Sequence, residues 1–123
     1  MLDSEVTARL ALLHAASGDT RTLRRVIHTH GSGLGAIAAK GLRARLRTMV
    51  ESPNVYELVQ RELEAADSAG ARWLTPEHDD FPDRLRQTDC ALICMRGEWP
   101  DQRGVAIVGS RNADAYGKAI ACA

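Results

Sequence analysis

The residues with the clearest chemical meaning form a short turn, Gly109-Ser110-Arg111, between the apolar segment 104–108 and a predicted helix capped by Asn112 or Asp114. A glycine after a strand lets the backbone approach a ligand, and the free N–H groups that begin a helix attract anions. Arg111 would add a planar cation that grips phosphate oxygens. Because the G-x-G-x-x-G spacing is absent, no nicotinamide site is indicated. The turn predicts a phosphate contact, although an ordinary strand-to-helix turn with a surface arginine fits the local sequence equally well.

Basic residues in the first half of the chain have the spacing of helix faces. One set is Lys40, Arg43 and Arg47, and the other is Arg21, Arg25 and His28. Each set could follow a DNA backbone, so Arg21, Arg25, Lys40, Arg43 and Arg47 are candidate accessory DNA contacts. No aromatic residue accompanies them to stack on bases, which makes a solvated helix surface the plainer interpretation.

The sequence Ser17-Gly18-Asp19-Thr20 joins the first two predicted helices. A helix-hairpin-helix meets phosphate with the backbone N–H groups of such a glycine-containing turn. Asp19 is an unfavourable neighbour for phosphate because both carry negative charge.

Metal binding and nucleophilic catalysis have little support. Cys90 and Cys94 lie four residues apart on a predicted strand, about 13 Å at ~3.3 Å per residue, which is too far for one tetrahedral zinc. His78-Asp79-Asp80 is a weak candidate for a metal-binding turn. No Ser/His/Asp or Cys/His arrangement is visible. The sequence therefore predicts no metal, no cofactor and no catalytic residue.

Composition places the chain among globular proteins, because 45% of its 123 residues are hydrophobic and 26% are charged. The net charge of zero hides an asymmetry, since residues 1–50 carry eight Lys/Arg against three Asp/Glu and residues 51–100 carry five against eleven. No apolar run approaches the roughly 20 residues of a membrane span. The acidic N-terminus and the three cysteines, which form no disulfide framework, indicate a cytoplasmic protein.

The first half of the chain has helical periodicity. Val6, Leu10 and Leu13 follow the capping residue Ser4 at the spacing of one buried face. Gly18, Gly31, Gly41 and Gly70 separate the periodic segments, and Pro53 stands where a long helix can begin. Residues 1–69 are therefore predicted to form a small helical domain.

The periodicity changes after residue 70. Short apolar runs at 71–75, 91–95 and 104–108 predict strands, and the last has the continuous β-branched content of a strand buried in a parallel sheet. Such a strand needs partners on both sides, so residues 104–123 should lean on the two earlier strands or be poorly ordered. The fold class expected is α+β to α/β, with an incomplete α/β domain over 70–123, which the family resemblance described next makes Rossmann-like.

Several of these segments resemble, in order, the motifs of the DNA-processing protein A (DprA/Smf) family. Residues 105–111, followed by Tyr116-Gly117, are similar to its opening Rossmann motif. Leu74-Thr75 with Phe81-Pro82-Asp83-Arg84-Leu85, and then residues 91–97, resemble the segments that precede that motif. Residues 1–69 resemble the family's helix-hairpin-helix (SAM-like) domain in size and position only.

The resemblance implies an extended Rossmann fold that binds single-stranded DNA and helps to load a recombinase onto it, without catalysis. It assigns Gly109, Ser110 and Arg111 to the DNA-binding pocket, and it implies a homodimer when the protein is full length. Asp114 departs from the family's usual Ser or Thr. The later family motifs have no counterpart before Ala123, so we expect a truncated product or a fragment.

Two alternatives stay open. One is a nucleotide-handling enzyme of the lysine-decarboxylase-like Rossmann group, which resembles this chain in its Gly-Ser turn after a strand. The other is a helical interaction module without an activity of its own.

Overall fold

A computed structural model describes residues 4–100 and 103–122. Residues 1–3 of the acidic N-terminus and Ala123, the end of the predicted last helix, lie outside the described residues. The helices are α1 (Glu5–Ala15), α2 (Thr20–His30), α3 (Gly33–Ala38), α4 (Ala44–Val50), α5 (Pro53–Ser68), α6 (Asp83–Arg86) and α7 (Ala115–Cys122). The strands are β1 (Ala71–Leu74) and β2 (Ile93–Arg96), with α6 between them.

Local capping explains where the helices begin. Ser4 and Ser32 each accept a hydrogen bond from the backbone N–H three residues on, while Asp19 and Ser52 accept one from the N–H two residues on. These bonds satisfy N–H groups that have no partner inside the helix. The predicted start of α1 after Ser4 and the proline at the start of α5 are confirmed.

The glycine that ends α2 has a specific conformational role. Gly31 has φ 83°, in the left-handed region that favours glycine, and its N–H donates to the Ile27 carbonyl oxygen at 2.7 Å. The chain reverses there and enters α3, so the predicted stop at Gly31 is confirmed.

The helical core is built around α1, which contacts α2, α3, α4 and α5. The prediction of one buried face was incomplete, because Leu10 is buried together with Ala8, Ala11 and Leu12 on other sides of the helix. Val6 and Leu13 are only partly buried. A helix surrounded by neighbours buries most of its circumference, and its sequence then no longer shows a single apolar stripe.

The two strands pair antiparallel, with Ala71 opposite Arg96 and Leu74 opposite Ile93. Leu74, Phe81 and Met95 form a second small core beside them. The α+β class is therefore confirmed, but residues 4–100 and 103–122 contain no parallel Rossmann sheet. The connection through α6 spans residues 75–92, and the two strands that it joins run in opposite directions side by side.

The strand expected over residues 104–108 is not formed in the described structure. Val105 and Val108 are each 91% exposed, and Ile107 is 72% exposed. Extended chain becomes a strand only when its N–H and C=O groups find a partner, and residues 103–110 make no backbone hydrogen bond within the part of the chain described. Of the two outcomes expected for residues 104–123, the described structure does not show the one in which this segment pairs with the earlier strands.

A buried arginine joins the helices to the loops around the sheet. Arg9 is 3% exposed; its Nε donates to Glu5 Oε1 at 2.6 Å, its Nη1 to the Ala91 carbonyl oxygen at 2.6 Å, and its Nη2 to Glu77 Oε1 at 2.9 Å. Glu5 also accepts from the N–H groups of Gly33 and Leu34, at 2.5 and 3.1 Å. This network fixes the start of α3 and the segment before β2 against α1.

Candidate nucleic-acid interface

A groove runs between α2 and the start of α4, and we call it the basic groove. It consists of two adjoining cavities of about 300 and 160 Å³ that share Thr22, Arg43 and Leu46. The buried Leu42 and Leu46 line it together with side chains that carry hydroxyl groups and cations. The lining residues are Ala15, Ala16, Ser17, Thr22, Arg25, Val26, Thr29, His30, Gly41, Leu42, Arg43, Arg45 and Leu46.

The charges of the basic groove have one sign. Arg25, Arg43 and Arg45 are exposed and line it, and no Asp or Glu does. Within the described residues none of these three arginines forms an ion pair, in contrast to Arg24 and Arg47. Unpaired guanidinium groups that line one groove create a positive potential suited to phosphate.

Two predicted basic residues precede lining residues of this groove in sequence, Arg21 before Thr22 and Lys40 before Gly41. Arg21 and Lys40 are exposed, and neither forms an ion pair among the residues described. Arg21 stands beside Asp19, whose pKa is held below its ordinary value by hydrogen bonds from the Thr22 hydroxyl and then from the Arg21 N–H. A fixed negative charge at this end leaves the stronger positive potential around Arg25, Arg43 and Arg45.

Arg47, predicted as a DNA contact, has structural partners instead. Its guanidinium donates to the carbonyl oxygen of Ile37 at 3.1 Å and to that of Ala39, and its Nη1 lies 3.6 Å from Glu51. It holds the turn between α3 and α4 rather than lining the basic groove. Arg45 does line the groove, but the sequence pattern missed it because it falls outside the i, i+3, i+7 spacing of Lys40, Arg43 and Arg47.

The turn between α1 and α2 cannot meet phosphate as a helix-hairpin-helix turn does. The N–H groups of Ser17, Gly18 and Asp19 donate internally to the carbonyl oxygens of His14, Leu13 and Ala16 at 2.9–3.1 Å. The Asp19 carboxylate accepts from the N–H of Arg21 at 3.0 Å. These three N–H groups are thus engaged within the turn, and Asp19 stands beside them as the unfavourable neighbour for phosphate that the sequence indicates.

The Gly109-Ser110-Arg111 turn lies in the exposed C-terminal segment. Ser110 Oγ accepts from the Asn112 N–H at 3.1 Å, so the hydroxyl stabilises its own turn. The helix that follows is capped by Asp114, whose Oδ1 accepts from the Gly117 N–H at 2.7 Å. Capping by Asp114 is confirmed, and its carboxylate occupies part of the position where an anion would bind. Arg111 is exposed, and none of the three turn residues lines the basic groove.

On the opposite side of α2 lies a second depression, which we call the Trp73 cleft. Its apolar chamber, of about 260 Å³, is lined by Leu13, Thr20, Leu23, Arg24, Trp73, Asp89, Cys90, Ala91 and Leu92. A polar chamber of about 280 Å³ adjoins it and adds Arg9, Ile27, His28, Gly31, Pro76, Glu77 and Thr88. Nothing in the local sequence around Trp73 indicates a cavity, because the walls come from separate segments.

The described residues contain no group of three His, Cys, Asp or Glu side chains arranged to hold a metal ion. His78 Nδ1 is instead within hydrogen-bond distance of the Thr75 N–H and hydroxyl, at 3.0 and 3.2 Å. Over residues 4–100 and 103–122, no helix has both the length and the apolar character to cross a bilayer.

The basic groove and the Trp73 cleft are thus the two depressions that α2 separates. Comparison of the chain with protein families, curated proteins and solved structures found no match.

Proposed function

We propose that this chain binds single-stranded DNA through the basic groove. The observation that carries the proposal is that Arg25, Arg43 and Arg45, exposed and without ion pairs in the described structure, line two adjoining cavities that no carboxylate lines. Phosphate groups of a bound strand would pair with these guanidinium groups. Arg21 and Lys40 would extend the contact at its edges.

The resemblance to the DNA-processing protein A family supports single-stranded DNA as the substrate and a recombinase as the protein partner. Gly109, Ser110 and Arg111 enter the proposal as a separate phosphate contact, since Arg111 is exposed and follows a glycine turn. The basic groove adds the helical half of the chain as a second DNA-binding surface. No catalytic step is part of this proposal.

A groove that recognises phosphate alone should bind DNA with a characteristic salt dependence. Its affinity depends on released counterions and therefore falls as salt rises, with little preference among base sequences. This salt-dependent binding also distinguishes the proposal from the nucleotide-enzyme alternative, which requires turnover of a nucleoside monophosphate.

Two triple variants with the same charge loss test the proposal. Arg25→Ala/Arg43→Ala/Arg45→Ala removes the cations of the basic groove, and Arg61→Ala/Arg84→Ala/Arg96→Ala removes three exposed arginines elsewhere. Fluorescence anisotropy of a labelled oligothymidylate should show at least about tenfold weaker binding for the groove variant, because three charge-assisted phosphate contacts are lost. The control variant should bind nearly as the parent does.

Equal losses in the two variants would show that net charge alone governs binding and would contradict the proposal. A labelled duplex of the same length tests the choice of strand. If the duplex binds more tightly than the single strand, double-stranded DNA and not single-stranded DNA is the substrate of the basic groove.

A further inference from the structure

Helix α2 separates two surfaces of different chemistry. Thr22, Arg25 and Thr29 line the basic groove, whereas Leu23, Arg24 and Ile27 face the Trp73 cleft. Both sets follow helical spacing, so they lie on opposite flanks of the same helix. A helix with its side chains is about 10–12 Å wide, which is therefore the distance between groove and cleft.

The exposed ridge of α2 carries positive charge between the two surfaces. Arg21 and Arg25 are exposed and carry this charge, and the exposed His28 follows them at i+7. A phosphate backbone held by Arg25 on the groove side thus passes along a ridge whose other side opens into the cleft.

The polar chamber of the cleft is balanced in charge. Arg24 Nη1 lies 3.9 Å from Asp89 Oδ2, and Arg9 is bound to Glu77 at 2.9 Å. Each cation there already faces a carboxylate, so neither a phosphate nor a metal ion finds uncompensated charge. An uncharged ligand that offers both donors and acceptors matches this chamber.

The apolar chamber favours a flat, small ligand. Leu13, Leu23 and Leu92 form its walls together with the half-buried Trp73. The indole N–H of Trp73 is 3.5 Å from the Glu62 carbonyl oxygen, which directs this edge of the ring toward α5. At about 260 Å³ the chamber is smaller than typical sites for drug-sized ligands, which are roughly 300–1,000 Å³, and suits one aromatic ring.

We infer that the Trp73 cleft receives one base of the strand that the basic groove binds. The base lies against the indole of Trp73, and its polar edge meets Arg24 and Asp89 at the junction of the two chambers. This inference rests on the proposed function and deepens it, because it supplies the base contact that the basic groove lacks. Base stacking on an aromatic ring accepts every base and adds affinity without strict sequence preference.

Two oligomers with the same number of phosphates test the inference. The protein used is the Trp99→Phe variant, in which Trp73 is the remaining tryptophan and therefore the source of the tryptophan fluorescence. Oligothymidylate should bind at least about fivefold more tightly than an abasic deoxyribose phosphate oligomer of equal length. This factor corresponds to the lower end of the free energy that a base gains by stacking on an aromatic ring. Oligothymidylate should also quench the fluorescence of Trp73, and the abasic oligomer should leave it unchanged. Both oligomers should show the same dependence on salt, because the phosphate contacts are identical.

A cleft-filling variant tests the cleft without a change of Trp73, which also packs against the helical core. Because Cys90 packs against the second core, binding of the abasic oligomer reports whether the variant is folded. Cys90 lines both chambers, so Cys90→Phe should abolish the preference for thymine bases while it preserves binding of the abasic oligomer. Cys94 is exposed on β2 and lines neither chamber, so Cys94→Phe should retain the preference.

The outcomes separate the two proposals. Equal binding of the two oligomers by the protein without a cleft substitution would overturn the role of the Trp73 cleft in base binding. A thymine preference that survives Cys90→Phe would do the same, and both results would leave the groove proposal intact. Absence of binding to either oligomer would overturn the proposed function and this inference with it.

Discussion

The guanidinium of Arg9 donates to the carbonyl oxygen of Ala91 at 2.6 Å, across 82 residues of sequence. Ala91 lines both chambers of the Trp73 cleft, so a buried side chain of α1 determines where one wall of that cleft stands. The same guanidinium holds Glu5 and Glu77. Position and stability of the cleft therefore depend on one ionic network.

Replacing Arg9 by Met should destabilise the protein by about 3 kcal/mol, because removal of one partner leaves buried charge and a carbonyl group without compensation. Urea denaturation followed by circular dichroism measures the free energy of unfolding. Arg96→Met, at an exposed position on β2, is the matched control and should change stability by less than about 0.5 kcal/mol. Similar values for the two variants would show that the network contributes little.

Protonation of Glu5 should weaken the fold at acidic pH. Burial by itself raises the pKa of Glu5, but the hydrogen bonds from Arg9, Gly33 and Leu34 outweigh it and hold that pKa below its ordinary value. The contribution to stability is thus present above the unfolded pKa of about 4.3 and is lost as pH falls through the lower folded value.

Thermal denaturation from pH 6 to pH 2.5 tests this sign. The parent protein should lose more stability below about pH 4 than Glu5→Gln does, since glutamine has no proton to gain in that range. Parallel curves for the two proteins would assign the acid sensitivity to other carboxylates.

A methyl group at Gly35 should disturb the connection between α2 and α3. Its Cβ would lie 2.8 Å from the His30 carbonyl oxygen and 2.9 Å from Ser32 Oγ, so the backbone would have to shift. Gly35→Ala should cost about 1–3 kcal/mol, the usual range for overpacking. In Gly41→Ala the nearest atom, His30 Cε1, is 3.9 Å from the new Cβ, and stability should hardly change. Equal effects on Tm would contradict the close approach at Gly35.

Polar substitution in residues 104–108 should be tolerated. Val108→Thr changes a side chain that is 91% exposed, so the free energy of unfolding should change by no more than about 0.5 kcal/mol and Tm should stay close to that of the parent. Val59→Thr makes the same change at a position that is 1% exposed and should lower Tm clearly, because it buries a hydroxyl group in the helical core. A comparable loss in both would place Val108 in a packed environment.

Local signals predicted the helical half well. Ser4, Gly31 and Pro53 marked real helix ends, because capping and φ restriction act within a few residues. The runs at 71–75 and 91–95 predicted β1 and β2 to within two residues. How those strands pair was not predictable from them, since their direction depends on the turn and packing between them.

Long-range partners explain what the sequence concealed. Arg9 has no local pattern that marks it as buried, because Ala91 and Glu77 are brought to it by the fold. Residues 104–108 have strong β propensity, but no partner in the described structure pairs with them. Arg47 matched a helix-face pattern and yet binds the carbonyl oxygens of Ile37 and Ala39.

The salt dependence of single-strand binding tests the role of the basic groove most directly. For a single strand, the slope of log K against log salt is about −0.7 per phosphate contact. Arg25→Ala/Arg43→Ala/Arg45→Ala should therefore make the slope shallower by about 2, while Arg61→Ala/Arg84→Ala/Arg96→Ala leaves it as in the parent. An unchanged slope in the groove variant would show that the bound strand lies elsewhere on the protein.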